Sequence, residues 1–426
     1  MTERPFRRLS PLTPLVRSFI FVVAVVTASW RDLVRGQLGP FGWVLLGILA
    51  AGLVYGAASW FRTKYWIEAD ELRVDTGVIS RQSRRIRIDR LQGIDIVQPF
   101  VARLFGLAEL KMDVAGGSAR EGSLAFLPLR EAHEVKQLLL ARRAAVRSVE
   151  QRVDDVPDAP DRLLARVSLG TLLVSILLSP ETVVLLVLGV LLAVAFVLSG
   201  SWAGISAMLP VLGGVGLVLF RRLAANYRFQ VSQTAAGLQV RRGLFELNTQ
   251  TVALSRVQGV VVREPLLWKP LGWARLDVSI AGYAAGEGDN GASASTVLPV
   301  GPRDVVLLLA RHVLGGIDPT QTRLSPPPRR SRWAAPIGRR FMSVGTSDTV
   351  VMSREGWLTR RTHVVPHARA QSLRLSQGPW QRRLGLADVH VDSPPGPVKV
   401  RGRHRDAAQA RELLEREAGL ARDARR

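Results

Sequence analysis

The sequence contains no cysteine. This absence excludes disulfides, thiol catalysis, and metal or iron–sulfur sites with cysteine ligands. Acidic residues are also scarce, since 35 Asp and Glu stand against 58 Lys and Arg and leave a formal charge of +23. A surplus of that size indicates an anionic surface nearby, either nucleic acid or a negatively charged membrane leaflet.

Motifs for catalysis and cofactor binding are absent as well. No Gly-x-Ser-x-Gly nucleophile elbow occurs, and the glycine-rich residues 282–291 lack the Lys-Ser/Thr ending of a phosphate-binding loop. His363 and His367 have the spacing of a helical metal pair, but Pro366 is incompatible with that helix and no carboxylate lies nearby in sequence. We therefore expect no enzymatic activity, no cofactor and no metal site.

One spacing pattern occurs three times. A glycine is followed fifteen residues later by Gln, with Arg two positions before that Gln, a basic residue eleven after it, and a second glycine fourteen after it. Such a fixed spacing indicates an internal repeat. The signature positions are Gly77, Arg90, Gln92, Arg103 and Gly106 in the first copy, Gly243, Arg256, Gln258, Lys269 and Gly272 in the second, and Gly356, Arg369, Gln371, Arg382 and Gly385 in the third.

Each copy has the pattern of a small antiparallel barrel. The first glycine lies between short alternating runs and predicts a tight hairpin turn with positive φ. Strand-like runs follow, and each copy ends in a helix-periodic segment: residues 131–147, 303–314 and 406–418. A residue at fixed register in three diverged copies usually serves the fold, so Arg and Gln of the signature are predicted to satisfy backbone carbonyls. A functional role for this Arg-x-Gln pair is the alternative.

The third copy carries a family resemblance. Gln371-Ser-Leu-Arg-Leu-Ser-Gln-Gly-Pro followed by Arg383-Leu-Gly-Leu closely resembles the signature of the bacterial pleckstrin-homology-like (PH-like, bPH_2) domain of YdbS/YdbT-type membrane proteins. Arg90-Leu-Gln-Gly and Arg103-Leu-Phe-Gly-Leu match it in the first copy, whereas Trp268-Lys-Pro-Leu-Gly departs from it in the second. The resemblance implies the fold of three PH-like barrels. It also implies a partner, a smaller PH-like membrane protein.

Long apolar runs predict a membrane anchor of four helices. The runs cover residues 12–30, 41–60, 182–199 and 203–220, and basic residues flank them. A signal peptide is the alternative for the first run. Residues 163–178 are predicted to form a helix in the membrane interface, with a fifth span as the alternative. Ser179 and Pro180 predict the start of a new helix.

These observations predict an α+β membrane protein with three PH-like β-barrel domains, each closed by a C-terminal helix. Residues 1–61 would form a transmembrane hairpin, 62–150 the first domain, 151–222 a linker with the interfacial helix and second transmembrane pair, 223–316 the second domain, 317–337 a Pro-rich basic linker, and 338–426 the third domain. The helix over residues 303–314 is apolar enough to predict packing against the third domain.

The sequence favours a non-enzymatic protein of the cell membrane that binds a partner membrane protein, its own domains or anionic phospholipid. Basic side chains beside the first hairpin are predicted to contact anionic lipid: Arg84, Arg85, Arg87, Arg360 and Arg361. The alternative is that these charges only retain the domains in the cytoplasm. A role in membrane transport is the second function considered, although the runs lack the ionisable midplane residues of a pathway. Nucleic-acid binding is not expected, because the membrane accounts for the charge.

We predict that a topology reporter fused after Glu150 and one fused after Arg426 both report the cytoplasm. The long flanks of the apolar runs are basic and the short loops between them are not, so the positive-inside rule selects four spans with both termini inside. Reporters on opposite sides would show instead that residues 163–178 cross the membrane.

Overall fold

A computed structural model describes residues 7–8, 10–11, 13, 40–68, 71–76, 82–114, 123–148, 162–198, 202–234, 237–281 and 295–425. The chain divides into two compact units. Unit 1 comprises Met1–Pro157 and Phe245–Thr251, and unit 2 comprises Asp158–Leu244 and Val252–Arg426. The short segment Phe245–Thr251 therefore belongs to unit 1, although its neighbours in sequence belong to unit 2.

The strands pair antiparallel and fall into three groups, one for each copy of the repeat. The first group is β1 (Arg7–Arg8), β2 (Lys64–Glu68), β3 (Glu71–Thr76), β4 (Gln82–Arg87), β5 (Leu91–Gln98), β6 (Leu107–Val114) and β7 (Ser123–Pro128). The second is β8 (Arg162–Arg166), β9 (Gln230–Thr234), β10 (Gly237–Arg242), β11 (Leu247–Val252), β12 (Val257–Pro265), β13 (Trp273–Ile280) and β14 (Thr296–Pro302). The third is β15 (Ser343–Thr346), β16 (Val350–Glu355), β17 (Thr359–Pro366), β18 (Ser372–Ser376), β19 (Leu386–Asp392) and β20 (Val400–Asp406).

Helices follow the same division. The first repeat contains α1 (Pro40–Arg62), α2 (Phe100–Leu104) and α3 (Leu129–Ser148). The second contains α4 (Leu169–Leu177), α5 (Pro180–Leu198), α6 (Trp202–Ala225) and α7 (Arg303–Val313), and the third contains α8 (Pro379–Arg383) and α9 (Ala407–Asp423). A 3-10 turn lies directly before β5, β12 and β18 and ends at the signature arginine of each repeat: Ile88–Arg90, Leu254–Arg256 and His367–Arg369.

Unit 1 is built from two antiparallel sheets and the helix α3. One sheet has the order β1-β2-β3-β4, and β7, β6, β5 and β11 are neighbours in the other. Helix α3 covers the core with Ala132, Val135 and Leu139, which are fully buried and share one helical face. The predicted architecture of short strands closed by a C-terminal helix is thus present in the first repeat.

Unit 2 contains the rest of the second repeat and all of the third. Its largest sheet has the order β14-β13-β12-β17-β16-β15, so strand β17 of the third repeat pairs with strand β12 of the second. Val261 of β12 belongs to a core formed with Val351, Val365 and Val391 of the third repeat. Strand β12 is therefore covered on both faces, which explains its continuous apolar run.

The second and third repeats meet through these strands and not through α7, so the predicted packing of that helix against the third domain is wrong. Helix α7 packs against β12, β13 and β14 of its own repeat, with Val306, Leu309 and Ala310 buried, and Leu308 is 66% exposed. The sheet edge supplies backbone hydrogen bonds as well as apolar contact, and this combination outweighs the apolar surface of the helix.

The segment between the two repeats is also ordered against the third one. It forms the 3-10 turns Pro319–Gln321 and Arg329–Trp333, and Ser325 makes a bridge to Val344. Arg330 pairs with Asp406, at the start of α9. This stretch is therefore a packed connection and not the extended linker that its prolines suggest.

The apolar runs form helices at three of the four predicted places, namely α1, α5 and α6. The first predicted span, residues 12–30, lies outside the described residues apart from Thr13. Within the described residues no single helix is both long and apolar enough to cross a membrane. The pair Leu169–Leu177 and Pro180–Ala195, bent by 55°, reaches that length and apolarity when taken together.

The predicted interfacial helix over residues 163–178 is wrong at its start. Residues 162–166 form β8, which pairs with β9, and Val167 N–H donates to Phe229 O at 3.0 Å. Helix α4 begins only at Leu169, where the Ser168 side chain accepts a hydrogen bond from Thr171 N–H. Residues 162–166 pair with the edge of β9, and the backbone hydrogen bonds of this pairing stabilise a strand in spite of the apolar pattern. The sheet of the second repeat therefore begins before its helices.

Helix α5 begins as predicted. Its first residue is Pro180, and Thr182 N–H donates to Ser179 Oγ at 3.4 Å. The proline fits because its missing N–H would have no partner in the first turn.

A buried histidine–glutamate pair lies beneath α9 in the third repeat. His367 Nδ1 is 2.6 Å from Glu417 Oε1, and both side chains are 1% exposed. His367 Nε2 faces the Ser347 carbonyl at 2.9 Å. Burial alone would lower the pKa of His367, but hydrogen bonds to Glu417 and Ser347 outweigh it and raise that pKa above its ordinary value.

We predict that this pair makes unfolding of the third repeat depend on pH. A histidine with a raised pKa in the folded state contributes stability that is complete below its unfolded pKa and is lost as pH rises through the folded pKa. The melting temperature of the full chain should therefore fall as the pH is raised above about 6.5, the ordinary pKa of histidine. His367→Gln should flatten this slope, and an unchanged slope in that variant would contradict the assignment.

Candidate functional site

A basic cavity of about 590 Å³ lies in unit 2, where the ends of the apolar helices meet the sheet. Six arginines line it, together with one acidic residue, Glu181. The arginines come from four strands and one helix: Arg221, Arg222, Arg242, Arg263, Arg275 and Arg361. A concentration of guanidinium groups in one concave site is suited to an anion with several oxygens, such as a phosphate.

The buried carboxylate of Asp277 pairs with two of these arginines and holds them in place. Its carboxylate is 0% exposed, and it lies 2.9 Å from Arg263 Nε and 2.8 Å from Arg275 Nε. Thr296 completes the arrangement, because its Oγ1 donates to Asp277 and accepts from Arg275. Among the described residues at the cavity, six arginines stand against two acidic side chains, Glu181 and Asp277.

Burial is the largest influence on the pKa of Arg263. Burial lowers the pKa of its guanidinium, Asp277 opposes that shift, and Arg275 and Arg361 lower the pKa further. The guanidinium nevertheless stays protonated, as arginine does in proteins. Desolvated like charges therefore repel one another in this cavity, and a bound anion would relieve that repulsion.

The opposite wall of the cavity is apolar and belongs to the helices. Leu172 and Ile176 come from α4, and Val218 comes from α6. Buried Trp268 fixes α4 against the second repeat, since its indole N–H donates to the Ser175 carbonyl at 3.2 Å. The cavity thus offers charge on one side and hydrocarbon on the other, as an amphipathic ligand requires.

The start of α5 adds a further polar edge. Ser179, Pro180 and Glu181 line the cavity, and Arg222 Nη1 lies 3.4 Å from both Ser179 Oγ and Glu181 Oε2. The amino end of a helix carries partial positive charge, which favours a neighbouring anion. Arg222 therefore connects the end of α6 to the start of α5 at the rim of the cavity.

Of the five arginines predicted to contact lipid, the structure brings only Arg361 into this cavity. Its neighbour Arg360 points away and pairs with Glu264 at 3.5 Å. Arg84, Arg85 and Arg87 lie on β4 in unit 1, where all three are exposed and Arg87 pairs with Asp89 at 2.6 Å.

Sequence reasoning missed the arginines that the strands contribute. Arg263 and Arg275 lie in largely buried strands, each within two residues of an acidic residue of the same strand, and charges in a buried strand are a signal that could have singled them out. Arg221 and Arg222 indicate membrane orientation in the sequence, but the structure also places them at the rim of the cavity.

The signature glycines lie where the backbone needs positive φ. Gly243 and Gly356 have φ of 112° and 96° in their hairpin turns, and Gly106, Gly272 and Gly385 have φ of 66°, 63° and 62° directly before β6, β13 and β19. At Gly356 a Cβ atom would lie 2.1 Å from the Thr359 carbonyl oxygen. Gly77 and the side chain of Gln92 lie outside the described residues.

The signature Arg and Gln bond to backbone in the second repeat. Arg256 donates to the Ala281 carbonyl, and Gln258 Nε2 donates to the Arg256 carbonyl at 3.1 Å. Arg90 and Arg369 are exposed at the corresponding positions, as are Arg103, Arg382 and Gln371, whereas Lys269 is half-buried. None of these signature residues lines the arginine cavity.

The structure places both histidines whose spacing resembles a metal pair. His367 is bonded to Glu417, a carboxylate distant in sequence, and His363 lies 3.7 Å from Glu355. Among the described residues no group of three or more histidine and acidic side chains is arranged to hold a metal ion. The glycine-rich residues 282–291 lie outside the described residues.

Comparison with known proteins gives a family and a distant relative. The sequence profile of the family described as "Bacterial PH domain" matches residues 18–143, 167–316 and 328–418. The UPF0699 transmembrane protein YdbT of Bacillus subtilis (strain 168) is 25% identical over 280 residues, which cover 59% of this chain and 56% of that protein. The chain thus matches little more than half of the relative's length. No solved structure matches the chain.

We predict that Arg256→Ala destabilises the fold, whereas Arg369→Ala does not. The first substitution leaves the Ala281 carbonyl without its side-chain donor, which costs about 1–3 kcal/mol if the group stays buried. The second removes an exposed side chain, for which changes within about 0.5 kcal/mol are usual. Thermal unfolding of the two variants measures the difference. A stable Arg256→Ala protein that lost a ligand would show that the signature serves binding.

Proposed function

Because the chain belongs to the bacterial PH domain family, we propose that it is a non-enzymatic membrane protein that binds the anionic head group of a phospholipid in its arginine cavity. The observation that carries this proposal is the clustering of six arginines beside the ends of apolar helices. Phosphate oxygens would accept hydrogen bonds from the guanidinium groups, while the first carbons of the acyl chains would contact Leu172, Ile176 and Val218.

The proposed location is the cell membrane, with four spans and with the PH-like domains and both termini in the cytoplasm. The apolar helices and their basic flanks support this arrangement. The name of the B. subtilis relative also describes a transmembrane protein. In this arrangement Arg221 and Arg222, which follow the apolar part of α6, lie at the level of the lipid head groups, so the cavity opens where its ligand is concentrated.

Several arginines contribute to lipid binding, so removing one of them should remove only part of the binding free energy. A cation near an anionic membrane surface contributes about 1 kcal/mol of attraction. Asp277 and Thr296 orient Arg263 and Arg275 before any ligand arrives, so little side-chain freedom is lost on binding. The proposal therefore requires a preference for phosphatidylglycerol over phosphatidylcholine, whose head group carries a compensating positive charge.

We predict that Arg361→Gln weakens phosphatidylglycerol binding about fivefold, as expected for the loss of about 1 kcal/mol. Binding of short-chain phosphatidylglycerol and phosphatidylcholine to the detergent-solubilised full chain is measured by native mass spectrometry. Arg360→Gln is the matched control, since this neighbouring arginine lies on the same strand but does not line the cavity.

Two results would contradict the proposal. One is equal binding of the two lipids by the unaltered protein. The other is an equal loss of binding in Arg361→Gln and Arg360→Gln, which would assign the effect to overall charge and not to the cavity.

A further inference from the structure

The repeats are joined by a strand exchange that is the same at both junctions. In unit 1, Leu247 of β11 lies opposite Gln98 of β5, and Thr249 lies opposite Ile96. In unit 2, Arg360 of β17 lies opposite Glu264 of β12, and Thr362 lies opposite Val262. Leu247 and Arg360 each follow their first signature glycine by four residues, and Gln98 and Glu264 each follow their signature Gln by six. The strand after the first signature glycine of one repeat (β11 or β17) thus adds to the strand after the signature arginine of the repeat before it (β5 or β12), in one register. In the last repeat the strand after the signature arginine is β18.

Strand β18 is the fourth strand of the last repeat, and it lies at the end of its sheet. The order of that sheet is β18-β19-β20, so within the described residues β18 has a strand neighbour on one side only. Its apolar residues Leu373 and Leu375 pack inward against two core clusters. Arg374, between them, points outward with 63% of its side chain exposed.

Backbone groups of β18 point outward at known positions. At the second junction Leu266 N–H donates to Leu358 O, so alternate residues back along β12, including Val262 and Val260, face β17. The corresponding residues of β18 are Leu375 and Leu373. The outer edge of β18 therefore presents the same hydrogen-bonding pattern as the occupied edge of β12.

We propose that β18 receives, by antiparallel strand addition, the strand that follows the first signature glycine of a PH-like domain that belongs to a different polypeptide and carries an acidic residue opposite Arg374. Continuity with the two existing junctions sets the kind of partner and its register. Strand addition to an open sheet edge obtains affinity from main-chain hydrogen bonds and selectivity from alternate side chains.

The positive charge of Arg374 favours a strand from a different polypeptide over a strand from a second copy of this chain. In the shared register the residue that corresponds to His363 lies opposite Arg374, because His363 lies opposite Val261 at the second junction. In this chain's first repeat that residue is Arg84 on β4. Two arginines directly across a strand pair repel each other, whereas an acidic residue there would attract Arg374. Arg374 already has one acidic neighbour, Asp392, at 3.8 Å. Its exposed guanidinium has further N–H groups that can donate to a second carboxylate.

This inference does not rest on lipid binding, since no residue of β18 lines the arginine cavity. A failure of either proposal would therefore leave the other intact. The absence of cysteine from the chain allows a test by disulfide formation, because Ser376→Cys introduces a single thiol at the end of β18. In the shared register Ser376 lies opposite the residue that corresponds to Asn248.

The probe is a synthetic peptide with the sequence of residues 245–252 and the change Asn248→Cys. The peptide is made in three forms that differ at residue 250, which lies opposite Arg374 in the shared register. One form keeps Gln250, one carries Gln250→Glu, and one carries Gln250→Lys. Each is incubated with the full-length Ser376→Cys protein under mild oxidation, and the yield of the mixed disulfide is measured. A peptide with Thr249→Cys in place of Asn248→Cys is the register control, because its thiol projects to the other face of the strand.

We expect the Glu peptide to cross-link most and the Lys peptide least, with about two- to fivefold between successive forms. Adding Arg374→Glu to the protein should reverse that order, and the register control should cross-link poorly. Equal yields from the three peptides, or an order that ignores Arg374→Glu, would show that β18 is merely a short protected edge. Disulfide-linked oligomers of the full chain carrying both Gln82→Cys and Ser376→Cys would show that a second copy is the occupant, and would also overturn the proposal.

Discussion

The pairing of β12 with β17 is the contact on which unit 2 depends. It closes the core of the third repeat, because Val261 packs with Val351 and Val365 across it. The two strands approach so closely that a Cβ atom on Gly259 would lie 2.7 Å from the Val364 carbonyl oxygen. At one end of the pair, buried Glu264 binds Arg303 at 2.8 Å and Arg360 at 3.5 Å. The two repeats therefore fold as one hydrophobic and electrostatic unit.

The same pairing completes the arginine cavity. Strand β17 brings Thr359 and Arg361 of the third repeat to a site whose other residues belong to the second. The helices reach this site because they are inserted between β8 and β9, which pair with each other. The chain must therefore leave the sheet and return to it at adjacent points, which holds the ends of α4 and α6 beside the strands. In the third repeat Ser325 bridges Val344 at the equivalent place, and 3-10 turns replace the apolar helices.

Much of the fold could be predicted from the sequence, because the repeat fixes its elements locally. Glycines needing positive φ mark hairpins, and helices α3, α7 and α9 follow from their periodicity. What could not be predicted depends on pairing between distant residues. The exchange of strands between repeats leaves no local pattern, since β17 has the same alternation whichever strand it meets. For the same reason residues 162–166 resemble the start of an apolar helix, and only their pairing with β9 makes them a strand.

The candidate site could be predicted only in part, for a related reason. Arginines near a membrane are common, so Arg221, Arg222 and Arg361 carry little information as single residues. Their meaning comes from the three-dimensional cluster, which gathers six guanidinium groups from strands and a helix that are far apart in sequence.

Stability alone does not account for this cluster. A buried carboxylate such as Asp277 usually needs one cation, and a well-packed apolar pair is often at least as stable as a buried ion pair. Here Asp277 holds two arginines, and four further arginines line the same cavity. Such an arrangement raises the free energy of the empty site through desolvation and repulsion. An anionic head group between the arginines would reduce that repulsion, and local violations of folding rules of this kind are characteristic of binding sites.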